Sequence, residues 1–353
     1  MAYTTIDDPS DYFNTVLYTG NGSTQSITGV GFDPDWVWIK ARGDGSWPRS
    51  LDSVRGATKE LYQNTTNAEN TEAAGLTSFD SDGFSLGSNA GYNGNTVTFA
   101  SWNWFVGGTR TTNTEDGNNP GGGYTANTTA GFSIVDYVGT GAAGTMAHGL
   151  GAVPHMIVVR NREIVGSWII YHHKNTAAPN TNIMDWSSTA ATYDNSTYWN
   201  DTTPTSTVFT INTSNDVNKD ADDIIAYVFT SIQGYSKFGS YTGNGNAEGP
   251  MIYTGFKPAW LLYKNVDSVS NWVMRDNKRT TSGGTNPNGS VLLSNDPAAE
   301  STNDSATVID LLSNGFKIRN TENNDNTSGD NYLYMAFAEQ PFVTSGGVPC
   351  TAK

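Results

Sequence analysis

Cysteine is all but missing. Cys350 is the only one in 353 residues, so no internal disulfide can form and folding is compatible with a reducing cytoplasm. Positive charge is scarce as well: 19 Lys+Arg stand against 34 Asp+Glu, a net charge of −15. That balance argues against nucleic acid, whose affinity comes from cations neutralising phosphates, and against an anionic membrane surface. Long apolar runs are absent. Stretches such as Ile224–Phe229 fall far short of the ~20 residues of a spanning helix, so no membrane insertion is expected. The N-terminal MAYTTIDDPSDYF has neither a basic nor an apolar leader segment, so a soluble protein without a secretion signal is expected. Lys, Glu and Leu, the usual helix formers, are sparse.

Aromatics and turn formers are abundant instead. Ten Trp, 17 Tyr and 14 Phe are more than a disordered chain carries. The polarity comes from Asn, Thr, Ser and 38 Gly, the composition of short strands joined by many turns. An all-β protein is expected.

One pattern recurs three times in constant order. Tyr-x-Gly appears at Tyr18–Gly20, Tyr137–Gly139 and Tyr241–Gly243. Next come GFDPDWVWIKAR (Gly31–Arg42), GLGAVPHMIVVRNR (Gly149–Arg162) and GFKPAWLLYKN (Gly255–Asn265). Ser-x-x-Phe-x-Ile/Leu follows at Ser81–Leu86, Ser206–Ile211 and Ser313–Ile318. Each round closes on an aromatic strand: Asn95–Phe105, Asp223–Phe229 and Asn331–Phe337. Pro34 to Pro154 is 120 residues and Pro154 to Pro258 is 104, too long for a solenoid unit and right for whole small domains. The expected architecture is three tandem β-sandwich or jelly-roll (lectin-like) domains: residues 1–108, 130–233 and 234–353, with 109–129 as a Gly/Asn/Thr-rich linker. Trp38, Ile39, Val158, Val159, Leu262 and Tyr263 should lie on core strands. The best helix candidate is Ser53–Gln63.

Groups able to do chemistry are few. His148, His155, His172 and His173 all fall in the second repeat and read as surface or turn residues. The closely spaced Asp220, Asp222 and Asp223 offer oxygen ligands for at most a weak calcium ion; a solvated acidic turn is the preferred reading, and no cofactor is expected. Asp52 and Arg55 have counterparts in Asp276 and Arg279, read as a salt bridge fixing a loop in preference to a ligand contact. Trp36, Trp38, Trp102 and Trp104 alternate along strands, as core residues do. Trp47, Trp186 and Trp199 sit in turn-rich surroundings and are the candidates for glycan contact by stacking.

The motifs GFDPDWVWIK, DSVRG, HGLGAVPHMIVVRNR, GFKPAWLLYKN, LLSNGFKIRN and YLYMAFAEQPFV resemble a family of virion structural proteins from tailed phages, marine ones especially, and the likeness runs from Met1 to Lys353. The resemblance implies a tail fibre-like or otherwise structural role, with no catalytic residues to carry over. It implies synthesis in the host cytoplasm, a place on the virion exterior, other virion proteins as partners, and a homo-oligomer or symmetric array. A non-enzymatic tail fibre or spike module touching a host-surface glycan is the leading expectation. A capsid decoration protein is the alternative, strengthened because only Met1–Tyr12 precedes the first repeat. A glycan depolymerase ranks last, since no acid pair recurs among the repeats.

Overall fold

The run Trp36-Val37-Trp38-Ile39 lies in strand Trp36–Ala41 of a computed structural model, and every residue of that strand is buried. The same holds for Met156–Asn161. Strands apolar on both faces must be covered on both faces, and that requirement organises the whole molecule. The structure describes residues 2–279, 286–302 and 307–350. These are all-β: among the described residues stand three large and three small antiparallel sheets, with four single-turn α-helices and one 3-10 turn, Pro9–Asp11.

Each large sheet has a small companion. The first pair is built between Phe13 and Trp104, the second between Thr111 and Phe229, the third between Ser236 and Pro341. In all three, the closing aromatic strand runs between the opening strand and the proline-led strand. Trp104 thus faces Phe13 and Trp36, Phe229 faces Phe132 and Met156, and Phe337 faces Ser236 and Trp260. One face of each large sheet packs on its small sheet. In the first pair this joins Val37, Ile39, Leu51 and Phe99 to Ile27, Phe84 and Leu86; the second and third pairs have their own equivalents.

The opposite faces of all three large sheets meet one another. Trp36, Trp38, Trp102 and Trp104 join Met156, Val158, Trp168 and Tyr227, and these join Trp260, Leu262, Trp272 and Phe337 in one continuous cluster. Trp36 stacks on Tyr227 with centroids 4.5 Å apart, and Trp38 meets Trp186 edge-on at 5.0 Å. The alternating tryptophans are core residues, as expected, but the core they fill is shared between the sheet pairs. Its composition has a cost. The indole N–H groups of Trp38, Trp104 and Trp260 meet no acceptor, about 1–3 kcal/mol each. Burying a Trp removes roughly 150–250 Å² from water, about 4–6 kcal/mol at 25 cal/mol/Å². Burial wins.

The arrangement closes into a ring. The Glu69 N–H donates to Arg162 O, Thr192 N–H to Val266 O and Glu300 N–H to Arg42 O, at 2.7, 2.9 and 2.9 Å. One bond is thus repeated from first pair to second, second to third, and third back to first. The Tyr-x-Gly motif is equally regular. The hydroxyls of Tyr18, Tyr137 and Tyr241 donate to Tyr92 O, Val217 O and Asp325 O. The glycine two residues on presses against backbone: a Cβ on Gly20, Gly139 or Gly243 would sit 2.1–2.2 Å from a carbonyl oxygen.

Two expectations are corrected. Residues 109–129 are no tether; they hold strands Thr111–Asn113 and Gly122–Asn127, and the latter lies in register on Phe132–Val138. Composition concealed this because the segment needs glycine for close approach: a Cβ on Gly122 would lie 2.1 Å from Asp136 O. Ser53–Gln63 is not a helix. Asp52 captures the Arg55 backbone N–H at 2.8 Å, Gly56 takes a left-handed φ of +92°, and Lys59–Tyr62 returns as a strand. Trp38, Ile39, Val158, Val159, Leu262 and Tyr263 all lie buried on strands.

Because the central cluster belongs to all three pairs, Trp260→Ala is expected to cost about 3–5 kcal/mol. Trp fluorescence and far-UV circular dichroism should report one coincident unfolding transition. A cost within about 0.5 kcal/mol, or separate transitions for the two probes, would contradict a shared core.

Candidate functional site

Aspartate and arginine three residues apart cannot both be taken out of water without mutual compensation. Asp52–Arg55 and Asp276–Arg279 are fully buried ion pairs at 2.5 Å. Each carboxylate also reaches the next sheet pair. Asp52 accepts from the Tyr227 hydroxyl at 2.7 Å, and Asp276 accepts from the Trp102 indole N–H at 3.1 Å. Tyr227 and Trp102 occupy equivalent register positions, opposite Ile134 and Thr15. The third such position is Met335, opposite Phe238, which offers no donor. There the acid is replaced by His172, lying beside Met335 and donating from Nε2 to Tyr334 O at 3.4 Å. The second repeat thus lacks the pair at the junction where its neighbour lacks the donor. Glu69 extends the first lock, taking Arg55 at 3.1 Å and Arg162 at 2.9 Å. Burial would raise its carboxyl, but the Arg162 and Arg55 bonds and charges hold it below the ordinary value. Glu300 holds Arg42 and Arg279 likewise.

The glycan-contact candidates separate. Trp186 is 0% exposed, its N–H given to Ser294 Oγ at 2.7 Å within the shared core; Trp199 is 2% exposed in the second pair's own core. Neither can stack on a ligand. Both lie in turn-rich sequence, which conceals that the turns fold inward. Trp47 is 40% exposed and meets Tyr62 edge-on at 5.1 Å. The acidic trio also diverges. Asp222 is buried, accepting from Asn161 at 2.9 Å and from the Lys219 ammonium at 3.0 Å, while Asp223 pairs with Arg162 at 3.2 Å and Asp220 faces solvent. Among the described residues no group of three His, Cys, Asp or Glu is placed to hold a metal ion.

One opening was not apparent from sequence. It is a cleft of about 690 Å³ between the second and third sheet pairs, within the size range of ligand sites. Its walls include His155, His173, Lys174 and Ser231 on one side and Lys237, Phe238, Met251 and Tyr253 on the other. His155 and His173 stack with centroids 4.1 Å apart. The Ser231 N–H donates to His155 Nδ1 at 2.9 Å, and Ser231 Oγ lies at the same distance. The imidazole therefore accepts at Nδ1 and carries its proton on Nε2. Burial, helped by the charges of His173 and Lys174, pushes His155 down to about 4. A base matched to neutral pH needs a higher value, and among the described residues the ring's partner is Ser231, with no carboxylate bonded to it. The histidines are thus not the surface or turn residues expected: His148 and His172 are buried, and His155 and His173 form this half-buried stack.

All four histidines are pushed below the ordinary value, each chiefly by burial. The unfolded chain then binds protons that the folded chain refuses. Stability should be fully present above pH 6.5 and fall as pH drops from 6.5 towards 4. For the buried His172 the slope is up to about 1.4 kcal/mol per pH unit. Denaturant titrations at stepped pH should show this fall, and His172→Gln should flatten it between pH 6.5 and 5. An unchanged slope would contradict the assignment.

A family model described as a domain of unknown function (DUF7483) matches residues 8–341. No curated protein and no solved structure matches the chain.

Proposed function

We propose that this chain, which belongs to the DUF7483 family, is a non-enzymatic structural protein on the exterior of a tailed-phage virion. In this reading it is a tail fibre or spike module, and its three sheet pairs are tandem copies of one lectin-like β-sandwich. The observation that carries the structural role is where the charged groups are spent. Asp52, Arg55, Asp276, Arg279 and Glu300 are buried and bonded across or beside the junctions between sheet pairs. Catalysis requires such groups aimed at a substrate; here they are aimed at one another. The motif resemblance to phage virion proteins supports the setting. Three junctions built on one plan in one chain, two filled and one open, suit attachment at a pseudo-threefold position, and so a symmetric array with other virion proteins. The cleft between the second and third pairs is the surface offered to the host. Its lining holds no carboxylate, which leaves a depolymerase without its acid pair.

A capsid decoration role is the second reading. Return of the third pair to the first, through Glu300 and Arg42, gives a cap-like body suited to sitting on a shell.

Electron microscopy of virions labelled with antibody against this protein tests both. Label on the tail or its fibres is expected. Label distributed over the head would favour decoration, and absence of the protein from purified particles would overturn both readings.

A further inference from the structure

In a chain of net charge −15, an opening whose only charged side chains are lysines needs a reason. Two lysines and two histidines line the cleft between the second and third pairs, with no Asp or Glu among its 18 lining residues. The molecule supplies its own comparison at the two other junctions. His155 precedes Met156, as Asp35 precedes Trp36 and Ala259 precedes Trp260. Between first and second pairs, Asp35 takes the backbone N–H groups of Val106 and Gly107, both at 2.7 Å, so chain closes the gap. Between third and first pairs only about 70 Å³ is left, and Glu339 occupies its edge, bonded to Asn277 at 2.6 Å and Lys257 at 2.8 Å. Two junctions are thus filled and carry a carboxylate. The third is open and carries none.

Its walls combine charge with flat apolar surface. Tyr253 is 49% exposed and Met251 44%. The Lys237 ammonium sits 5.2 Å from the Tyr253 ring centroid and donates to Tyr253 O at 2.8 Å. Lys174 is exposed on the opposite wall. Ser240, which corresponds to Asp136 of the second sheet, stands exposed on the open edge of strand Ser236–Thr242. An added β-strand fits this edge poorly. The Ser236 N–H is already given to Ile232 O, the Phe238 N–H to Ser231 Oγ, and Phe238 O accepts from His173 Nε2.

We infer that the open cleft binds an acidic oligosaccharide, its carboxylate or sulfate groups held by Lys174 and Lys237 and a sugar face laid on Tyr253. Charge-assisted bonds supply the preference for anions, and the tyrosine face accepts the apolar side of a sugar ring. This rests on the cleft being the host-contact surface proposed above and adds the ligand class.

Calorimetric titration of the full chain with a heparin-derived tetrasaccharide and with cellotetraose of equal length tests it. The acidic probe should bind at least tenfold tighter than the neutral one and weaken as NaCl is raised. Lys174→Gln and Ser240→Asp, both at exposed positions, should each weaken it at least fivefold with melting temperature unchanged. Equal binding of both sugars, no binding of either at millimolar concentration, or full affinity in both variants would overturn the assignment. So would binding of a peptide of sequence Gly122–Asn127 in preference to the sugar. The virion location is read separately by microscopy, so a protein found on the particle that fails this titration loses only the ligand.

Discussion

Each large sheet buries both of its faces, and the second face can be buried only against the other two large sheets. That constraint is set by the strands WVWI, MIVV and WLLY, which leave no polar side to offer to water. A single sheet pair in isolation would expose Trp36, Trp38, Trp102 and Trp104, or Trp260 and Trp272, as a contiguous apolar patch of the kind soluble monomers avoid. The three pairs are therefore parts of one folding problem. The backbone bonds of Glu69, Thr192 and Glu300 join the three pairs to one another in turn.

Polar chemistry follows from the apolar constraint. Around a buried tryptophan or tyrosine the N–H or O–H needs an acceptor, and Asp276 and Asp52 supply it from the neighbouring pair. Those carboxylates then need cations, which Arg279 and Arg55 provide. Where Met335 replaces the donor, the acid and its arginine are gone and a neutral histidine remains. Both differences fall at one junction, and the open cleft lies at that same altered junction.

Much of this was legible in the sequence. The strand positions, the three-fold recurrence and the core role of Trp38, Val158 and Leu262 follow from local pattern, because side-chain period and turn chemistry are local. The shared core left one signal, the lack of alternation in WVWI and MIVV, which marks burial on both faces without saying what covers the second. Trp186 and Trp199 were misplaced because turn-rich sequence says nothing about whether the turn folds over the core. The strand Gly122–Asn127 was concealed because its glycines serve close backbone approach. The His155–His173 stack joins residues that flank adjacent strands at a junction between sheet pairs, and no spacing along the chain encodes that junction.

The central claim is that polar groups on one sheet pair are energetically coupled to aromatic groups on the next. A double-mutant cycle on Trp102→Phe and Asp276→Ala measures it directly, since the two residues are 174 positions apart and touch only across the ring. The account predicts a coupling of about 1–3 kcal/mol in unfolding free energy. Effects that add to within about 0.3–0.5 kcal/mol would mean the sheet pairs do not lock together in this way.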